Sequence, residues 1–328
     1  MNLDAKLLAL RDAIQTDPGN RGLARDPDRN LINAYPDDFA NACRSIASSS
    51  FPRVGVITGF LIPTADPPRA ETDGPLGTLF LARALHALDL PMLMASDEFC
   101  LAALRAGIEH AGLNKCAAFS LELIAPDAPL GGLVNTLSHL VALERVGPSH
   151  TPESLRLQPD GWANDLSAFM KDCPPSSFNR CHTMRGRDIT DLIFPAERLF
   201  DKRPKPVTIG IGDGGNEIGM GKIPWETIRR NIPNGGKVAC RVATDHLIVA
   251  GVSNWGAYAL AAGVALCLGQ TLPAELFNPE RERELLEVML EAGDLVDGVT
   301  NQPTATVDGL SFDEYIRPLL RIRDILEA

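Results

Sequence analysis

The stretch "IGIGDGGNEIGMGK", Ile209 to Lys222, decides the reading of this 328-residue chain. It opens as the end of an apolar run, "VTIGIG" from Val207, and passes at once into a glycine-rich polar loop. Gly210, Gly212 and Gly215 have the G-x-G-x-x-G spacing of a loop at the carboxyl edge of an open α/β sheet, where such folds bind ligands. Working outward, "VGVITGFLI" from Val54, "PMLMAS", "CAAFSLELI", "LVALERVG" and "KVACRV" read as further strands. Between them lie helical patterns, one with Leu81, Leu85 and Leu88 on a single face and one over Asp97 to Ala111. Strands alternating with helices predict an α/β fold with a mainly parallel, doubly wound sheet, helices on both faces and Gly-rich loops at the carboxyl edge.

The flanks are read by the same rules. Leu3, Leu7, Leu10 and Ile14 recur at helical spacing before the turn-rich stretch Asp17 to Asn30, so residues 1–50 are expected as an N-terminal helical extension and residues 51–328 as a single α/β domain. The segment from Pro148 to Pro206 is rich in Pro, Ser and Arg, with a helix expected near Trp162 to Lys171. Asn278, Pro279 and Gly293 mark the start and stop of a late helix. Ser311 with Glu314 forms a capping-box pattern, although Pro318 would disturb the interior of that helix.

Composition excludes several classes. A net charge of −11 opposes general nucleic-acid binding, which needs clustered Lys and Arg. No apolar run is long enough to span a bilayer. The first residues, "MNLDAKLLALRDAIQ", lack the apolar core of a secretory leader, so a cytoplasmic location is expected. The seven cysteines form no C-x-x-C pair and read as reduced, mostly buried thiols. The expected partner is a small molecule, and a homo-oligomer is compatible with this reading.

The glycine-rich loop carries an oddity for a phosphate cradle. Asp213 stands inside it and would repel a phosphate unless a cation lay between them, and no acid follows at the spacing that holds a nucleotide's ribose; no nucleotide is expected. If Gly215 to Gly221 opens a helix, Asp213 and Glu217 lie one turn apart and offer the hard oxygen ligands that Mg²⁺ or Mn²⁺ favour. The alternative is a glycine-rich turn with a capping Asp and a solvated Glu. In "RAETDGP", Glu71 and Asp73 are two apart, so an extended segment would turn both carboxylates to one side, although Asp-Gly-Pro is also ordinary turn chemistry. Four carboxylates in one pocket would need divalent cations. Around these, Lys222, Asp245 and His246 are candidate proton carriers. Arg185, beside Arg187, is suited to bidentate carboxylate recognition, and Asn216, Ser253 and Asn254 are candidates for holding a substrate carboxylate.

These motifs resemble, in the same order, those of the D-glutamate cyclase family, in the domain that forms the C-terminal part of the longer eukaryotic proteins. The matching segments are "TGFLIPTADPPRAETDGPLGTLFLARAL", "ERVGPS", "MRGRDIT", "IGIGDGGNEIGMGKI", "TDHLIVAGVSNWGAYAL" and "VDGL", from about Val54 to about Leu310. The resemblance implies a metal-assisted lyase that closes D-glutamate to 5-oxo-D-proline with loss of water. Glu71, Asp73, Asp213 and Glu217 would hold the ion, Lys222, Asp245 or His246 would move protons, and Arg185, Ser253 and Asn254 would fix the α-carboxylate. A metal-dependent phosphohydrolase and a non-catalytic binding protein for a cation or anionic metabolite are the alternatives.

Overall fold

The computed structural model describes residues 1–124, 134–158, 166–200, 206–293 and 295–328. Among these, five strands fall on the apolar runs read from the sequence: β1 (Val54–Thr58), β4 (Met92–Ser96), β5 (Phe119–Leu123), β6 (His139–Leu143) and β7 (Val207–Gly212). The sixth strand of the large sheet, β8, is His246–Val249. The order is β5-β4-β1-β6-β7-β8, all parallel. In order of appearance these six strands run 3-2-1-4-5-6, so the winding reverses between β1 and β6. That reversal leaves a crevice outside the carboxyl ends of the two strands, the usual ligand position in open α/β sheets.

Side chains alternate across the sheet, as the two-residue period of a strand requires. Val56, Met94, Val141, Ile209 and Ile248 point into one core with α1 (Leu3–Ile14), α2 (Asp38–Ala47), α3 (Pro75–Ala87) and α4 (Glu98–His110). That layer also holds α5 (Ser253–Leu268) and α6 (Pro279–Glu291). Ile57, Leu93, Ala142, Leu247 and Val249 point into the other core, covered by short helices such as Trp225–Asn231 and by loops. Both layers exclude water from the sheet, which is why its central strands read as unbroken apolar runs. Leu7, Leu10 and Ile14 of α1 and Phe39, Cys43 and Ile46 of α2 lie in the first core, so residues 1–50 pack against the same sheet as the rest.

Several sequence expectations need correction. "KVACRV" is not a strand: Asn234 takes a left-handed φ of 58° and starts a short helix, Gly235–Val238, after which Cys240 makes only an isolated bridge to Ser149. The strand in that region lies later, at β8. No helix opens over Gly215 to Gly221; the chain turns there and next becomes helical at Trp225. Pro318 disturbs nothing, because the capping box of Ser311 and Glu314 serves a short helix, Phe312–Tyr315, and Pro318 lies in the first turn of the next, Arg317–Glu327. The helix expected near Trp162 is described from Leu166 to Asp172; residues 159–165 lie outside the described residues. Asn278 caps α6 as its side chain predicts, accepting from the amides of Glu280 and Arg281.

A small second sheet, β2 (Leu61–Ile62), β3 (Arg69–Glu71) and β9 (Leu295–Val296), stands over the crevice. It pairs β3 with the C-terminal part of the chain and thereby fixes Glu71 opposite Val296. All seven cysteines are free thiols, five of them buried. Among the described residues no helix is long and apolar enough to cross a membrane.

Candidate metal centre

At the end of β6 the chain reaches Glu144, beside the winding reversal. Its backbone has φ 47°, a left-handed conformation that costs a non-glycine residue on the order of 1–3 kcal/mol and is typically tolerated where function requires it. Its side chain is buried and accepts a hydrogen bond from Ser253 Oγ. Asp213 follows β7, and Asp73 lies just beyond β3. Oxygens of Asp73, Glu144 and Asp213 come within 4.8 Å of one another, and all three residues are buried.

Asp73 is held by a helix start. Its Oδ1 accepts from the amides of Gly74 and Asn254 at 3.0 and 2.8 Å, and its Oδ2 from the amide of Ser253 at 2.8 Å. The N-terminus of α5 favours this negative charge through its unpaired amides and dipole. Asn254 returns the favour to α3, its Oδ1 accepting from the amides of Gly74 and Gly77 at 2.8 and 2.6 Å. Ser253 and Asn254 therefore hold the Asp73 and Glu144 side chains in place. Their amides are not free for a substrate carboxylate, contrary to the sequence expectation.

The glycine-rich loop closes on its own glutamate. Glu217 Oε1 accepts from the amides of Asp213 and Gly214 at 3.1 and 2.6 Å, and Oε2 from the amide of Gly215 at 2.7 Å. A Cβ on Gly212 would lie 2.9 Å from the Glu217 carboxyl carbon, and Gly215 has φ 104°. The glycines thus make room for a carboxylate, where a dinucleotide loop would make room for a phosphate. Glu217 anchors the loop that presents Asp213; Asp73 accepts as many amides, but its oxygen converges with those of Glu144 and Asp213, and Glu217 is not part of that group. Glu217→Ala should destabilise the cation-free protein by about 1–3 kcal/mol for each buried amide left unpaired. Denaturant unfolding checks this, and unchanged stability without cation would return Glu217 to the role of a ligand.

Two further acids and one base complete the centre. Asp308 follows a turn organised by buried Asp297, whose carboxylate accepts from the amides of Val299, Thr300 and Gly309. Arg21 reaches in from the N-terminal loop, pairing with Asp213 Oδ1 at 2.5 Å and Asp308 Oδ1 at 2.7 Å. The remaining oxygen of each, Asp213 Oδ2 and Asp308 Oδ2, is buried with no hydrogen-bond partner. Glu71, Glu144, Asp213, Asp308 and Arg21 line one cavity of about 250 Å³. Phe60 and Ile62 form part of its apolar wall, and Arg185 and Arg187 stand at its mouth. Each of these two guanidiniums donates to the backbone, Arg185 to Val299 O and Arg187 to Pro63 O, which leaves further N–H groups on both.

Burial and mutual repulsion hold the carboxyls protonated well beyond the usual range. Asp73 is pushed up to about 8 by burial and by Asp308, against the pull of the Asn254 and Ser253 amides. Glu71 is raised by burial, Asp308 and Asp73, and Glu144 by burial, Asp213 and Glu217. Asp213 is raised chiefly by burial, with Arg21 opposing. A multivalent cation fits this centre: it would satisfy the orphaned Asp213 oxygen, and its oxygen-only donor set is the one that Mg²⁺ or Mn²⁺ prefers.

Lys222, Asp245 and His246 lie elsewhere. Asp245 Oδ2 accepts from the amide and hydroxyl of Thr208, at the amino end of β7, and His246 is the first residue of β8, opposite Ile209. Five residues of strand, about 16 Å at roughly 3.3 Å each, separate Thr208 from Asp213. Lys222 Nζ donates to Asp38 and to the Asp245 carbonyl at that same amino edge, tying α2 to the sheet. Their expected role as proton carriers in the acidic cavity is therefore withdrawn. Asn216 is buried behind the loop and donates to the His182 carbonyl at 2.8 Å, away from the cavity lining. Sequence reasoning missed Glu144, Asp308 and Arg21; the first two lie in "ERVGPS" and "VDGL", segments already singled out, whereas nothing local marks Arg21.

Comparison with known proteins identifies the family. The family model described as "D-glutamate cyclase-like, C-terminal" matches residues 10–156 and 164–322. The human protein "D-glutamate cyclase, mitochondrial" is 30% identical over 277 residues, which is 78% of this chain and 38% of the human protein. The chain thus spans well under half the length of that relative. With nearly all of its residues inside the family model, the chain belongs to the D-glutamate cyclase-like C-terminal family.

Proposed function

We propose that this chain is a metal-assisted lyase that cyclises D-glutamate to 5-oxo-D-proline and water. The observation that carries the reading is a cavity with a carboxylate floor and an arginine mouth, in a chain whose curated human relative is named for that reaction. Asp73, Glu144 and Asp213 would hold a divalent cation, Mg²⁺ or Mn²⁺. When bound, the cation supplies Lewis acidity that offsets the negative charge of a carboxylate under attack.

The chain's own groups account for the rest. Arg185 and Arg187 pair with the α-carboxylate at the mouth, directing the rest of the substrate inward. In the reaction the amine nitrogen forms a bond to the γ-carboxyl carbon, one C–O bond of that carboxyl breaks, and the oxygen leaves as water. The two protons that the nitrogen gives up depart with that oxygen, so a proton carrier is needed but no net proton. Glu71 lines the cavity with a raised proton affinity, and among the described residues no backbone amide donates to its carboxyl; it is suited to take a proton from the ammonium and return it to the departing oxygen. Phe60 and Ile62 limit water at the reacting atoms.

The phosphohydrolase alternative loses its support, because the loop amides that would cradle a phosphate are engaged by Glu217. The test is incubation of the purified chain with D-glutamate, L-glutamate or phosphate esters, with Mn²⁺ or EDTA, and chromatographic detection of 5-oxoproline. Mn²⁺-dependent 5-oxoproline from D-glutamate is the expected result. Tight Mn²⁺ binding with turnover of none of these substrates would instead favour a binding protein.

A further inference from the structure

The acidic centre contains six buried or nearly buried carboxyl groups, yet one of its cationic positions is filled by the chain itself. Arg21 spans Asp213 and Asp308, two residues 95 positions apart in sequence, and it does so from a loop built to deliver it. Asp17 accepts from the amides of Arg21, Gly22 and Leu23, folding residues 17–23 into a compact turn that aims the Arg21 side chain inward. The guanidinium uses only one oxygen of each carboxylate. The second oxygen of each is buried and without a partner; the Asp213 side chain is 3% exposed and the Asp308 side chain 7%. Asp213 therefore has two sides: Oδ1 faces Arg21, and its carboxylate also belongs to the Asp73, Glu144 and Asp213 cluster.

We infer that Arg21 stands in for a second metal ion, making this a centre for a single divalent cation with a guanidinium in the adjoining position. The inference rests on the metal-assisted reading above and specifies its stoichiometry. Oxygen-ligated centres that bind two ions share a carboxylate between them, and Asp213 occupies that bridging place, with the guanidinium on one side. Asp308 and Glu71, which line the same cavity, would be the remaining ligands of an ion placed where Arg21 now lies. A permanently charged guanidinium cannot be exchanged for solvent cations, so the arrangement fixes charge at one position and leaves metal dependence to the other.

The experiment counts ions. The full chain is stripped with EDTA, desalted, equilibrated with Mn²⁺ and analysed by equilibrium dialysis with atomic absorption. One Mn²⁺ per wild-type chain is expected, and two in Arg21→Ala, the second site being detected separately by spin coupling between paired Mn²⁺ ions in electron paramagnetic resonance. Arg21→Gln, which keeps amide donors for Asp308 but not the charge, serves if the alanine variant fails to fold, and Arg21→Lys should retain one. Two ions in the wild type, or one in both neutral variants, overturns the inference while leaving the metal reading intact. No Mn²⁺ on the wild type overturns both.

Discussion

Glu144→Gln is expected to abolish the Mn²⁺-dependent rise in melting temperature and to lower turnover of D-glutamate by on the order of 10²–10⁴-fold, while the cation-free protein keeps its fold. The last clause makes the result interpretable. Burial and the neighbouring carboxylates already favour the neutral form of Glu144, and glutamine has nearly the shape of that form. Its carbonyl oxygen can still accept from Ser253 Oγ, so the start of α5 and the Asp73 bonds to it are kept. What is lost is the ability to become an anion when a cation arrives. The strained left-handed backbone at Glu144 points the same way: a glycine would relieve it, so a side chain held there at a cost is consistent with use. Thermal melting with and without Mn²⁺, together with an oxoproline assay, checks the prediction. Undiminished Mn²⁺ stabilisation in Glu144→Gln would remove Glu144 from the ligand set.

That residue also shows where sequence reading stops. β1, β4, β6 and β7 are legible because a strand covered on both faces needs apolar side chains at every position, and such runs are short and bounded by turn residues. "KVACRV" has the same local texture but is buried as an irregular segment beside the Trp225–Asn231 helix, so its burial, and not its pairing, is what the residues encode. Asp213 is legible as a candidate because it sits in a glycine-rich loop after an apolar run, and Glu71 and Asp73 because two acids two positions apart on an extended segment face the same side. Glu217 looks like them in sequence, and like Asp73 it accepts three backbone amides; only the convergence of side-chain oxygens in space, which includes Asp73 and omits Glu217, tells them apart. Glu144 and Asp308 depend on which strand ends lie side by side, and Arg21 on a loop crossing from the far end of the chain. Asp245 and His246 are misplaced by reading a strand before them when it in fact begins at His246, which exchanges the carboxyl edge for the amino edge; Lys222 is misplaced because the glycine-rich loop that it closes runs back to that amino edge, where its Nζ meets Asp38.

The pH dependence of the cation-free fold provides the second large effect, and its sign follows from the same carboxyls. Asp73 titrates near 8 in the folded protein against 3.8 for the unperturbed group, and Glu71, Glu144 and Asp213 are raised as well. Over the interval between those values the folded state binds more protons than the unfolded state, so stability falls as pH rises. Buried histidines act in the opposite direction: His139, His150 and His182 are each lowered by burial to about 4 from 6.5, and their contribution rises with pH until they are neutral in both states. At pH 6.5 half of the unfolded chain's histidines still carry a proton, so their contribution is complete only about one unit higher. Above about pH 7.5 the carboxyls dominate, and the window runs from there through the Asp73 value near 8. In that window the melting temperature of EDTA-treated protein should fall. Mn²⁺ must displace the protons that the carboxyls retain, so its apparent affinity should climb at least about tenfold per pH unit, one factor of ten for each proton released. The Mn²⁺-induced melting shift therefore widens as the cation-free protein weakens. Isothermal titration in two buffers of different ionisation enthalpy counts the protons directly, and an affinity that stays flat from pH 6.5 to 8 would mean that the carboxyls of the cavity are already ionised and that the cation, if it binds, does so elsewhere.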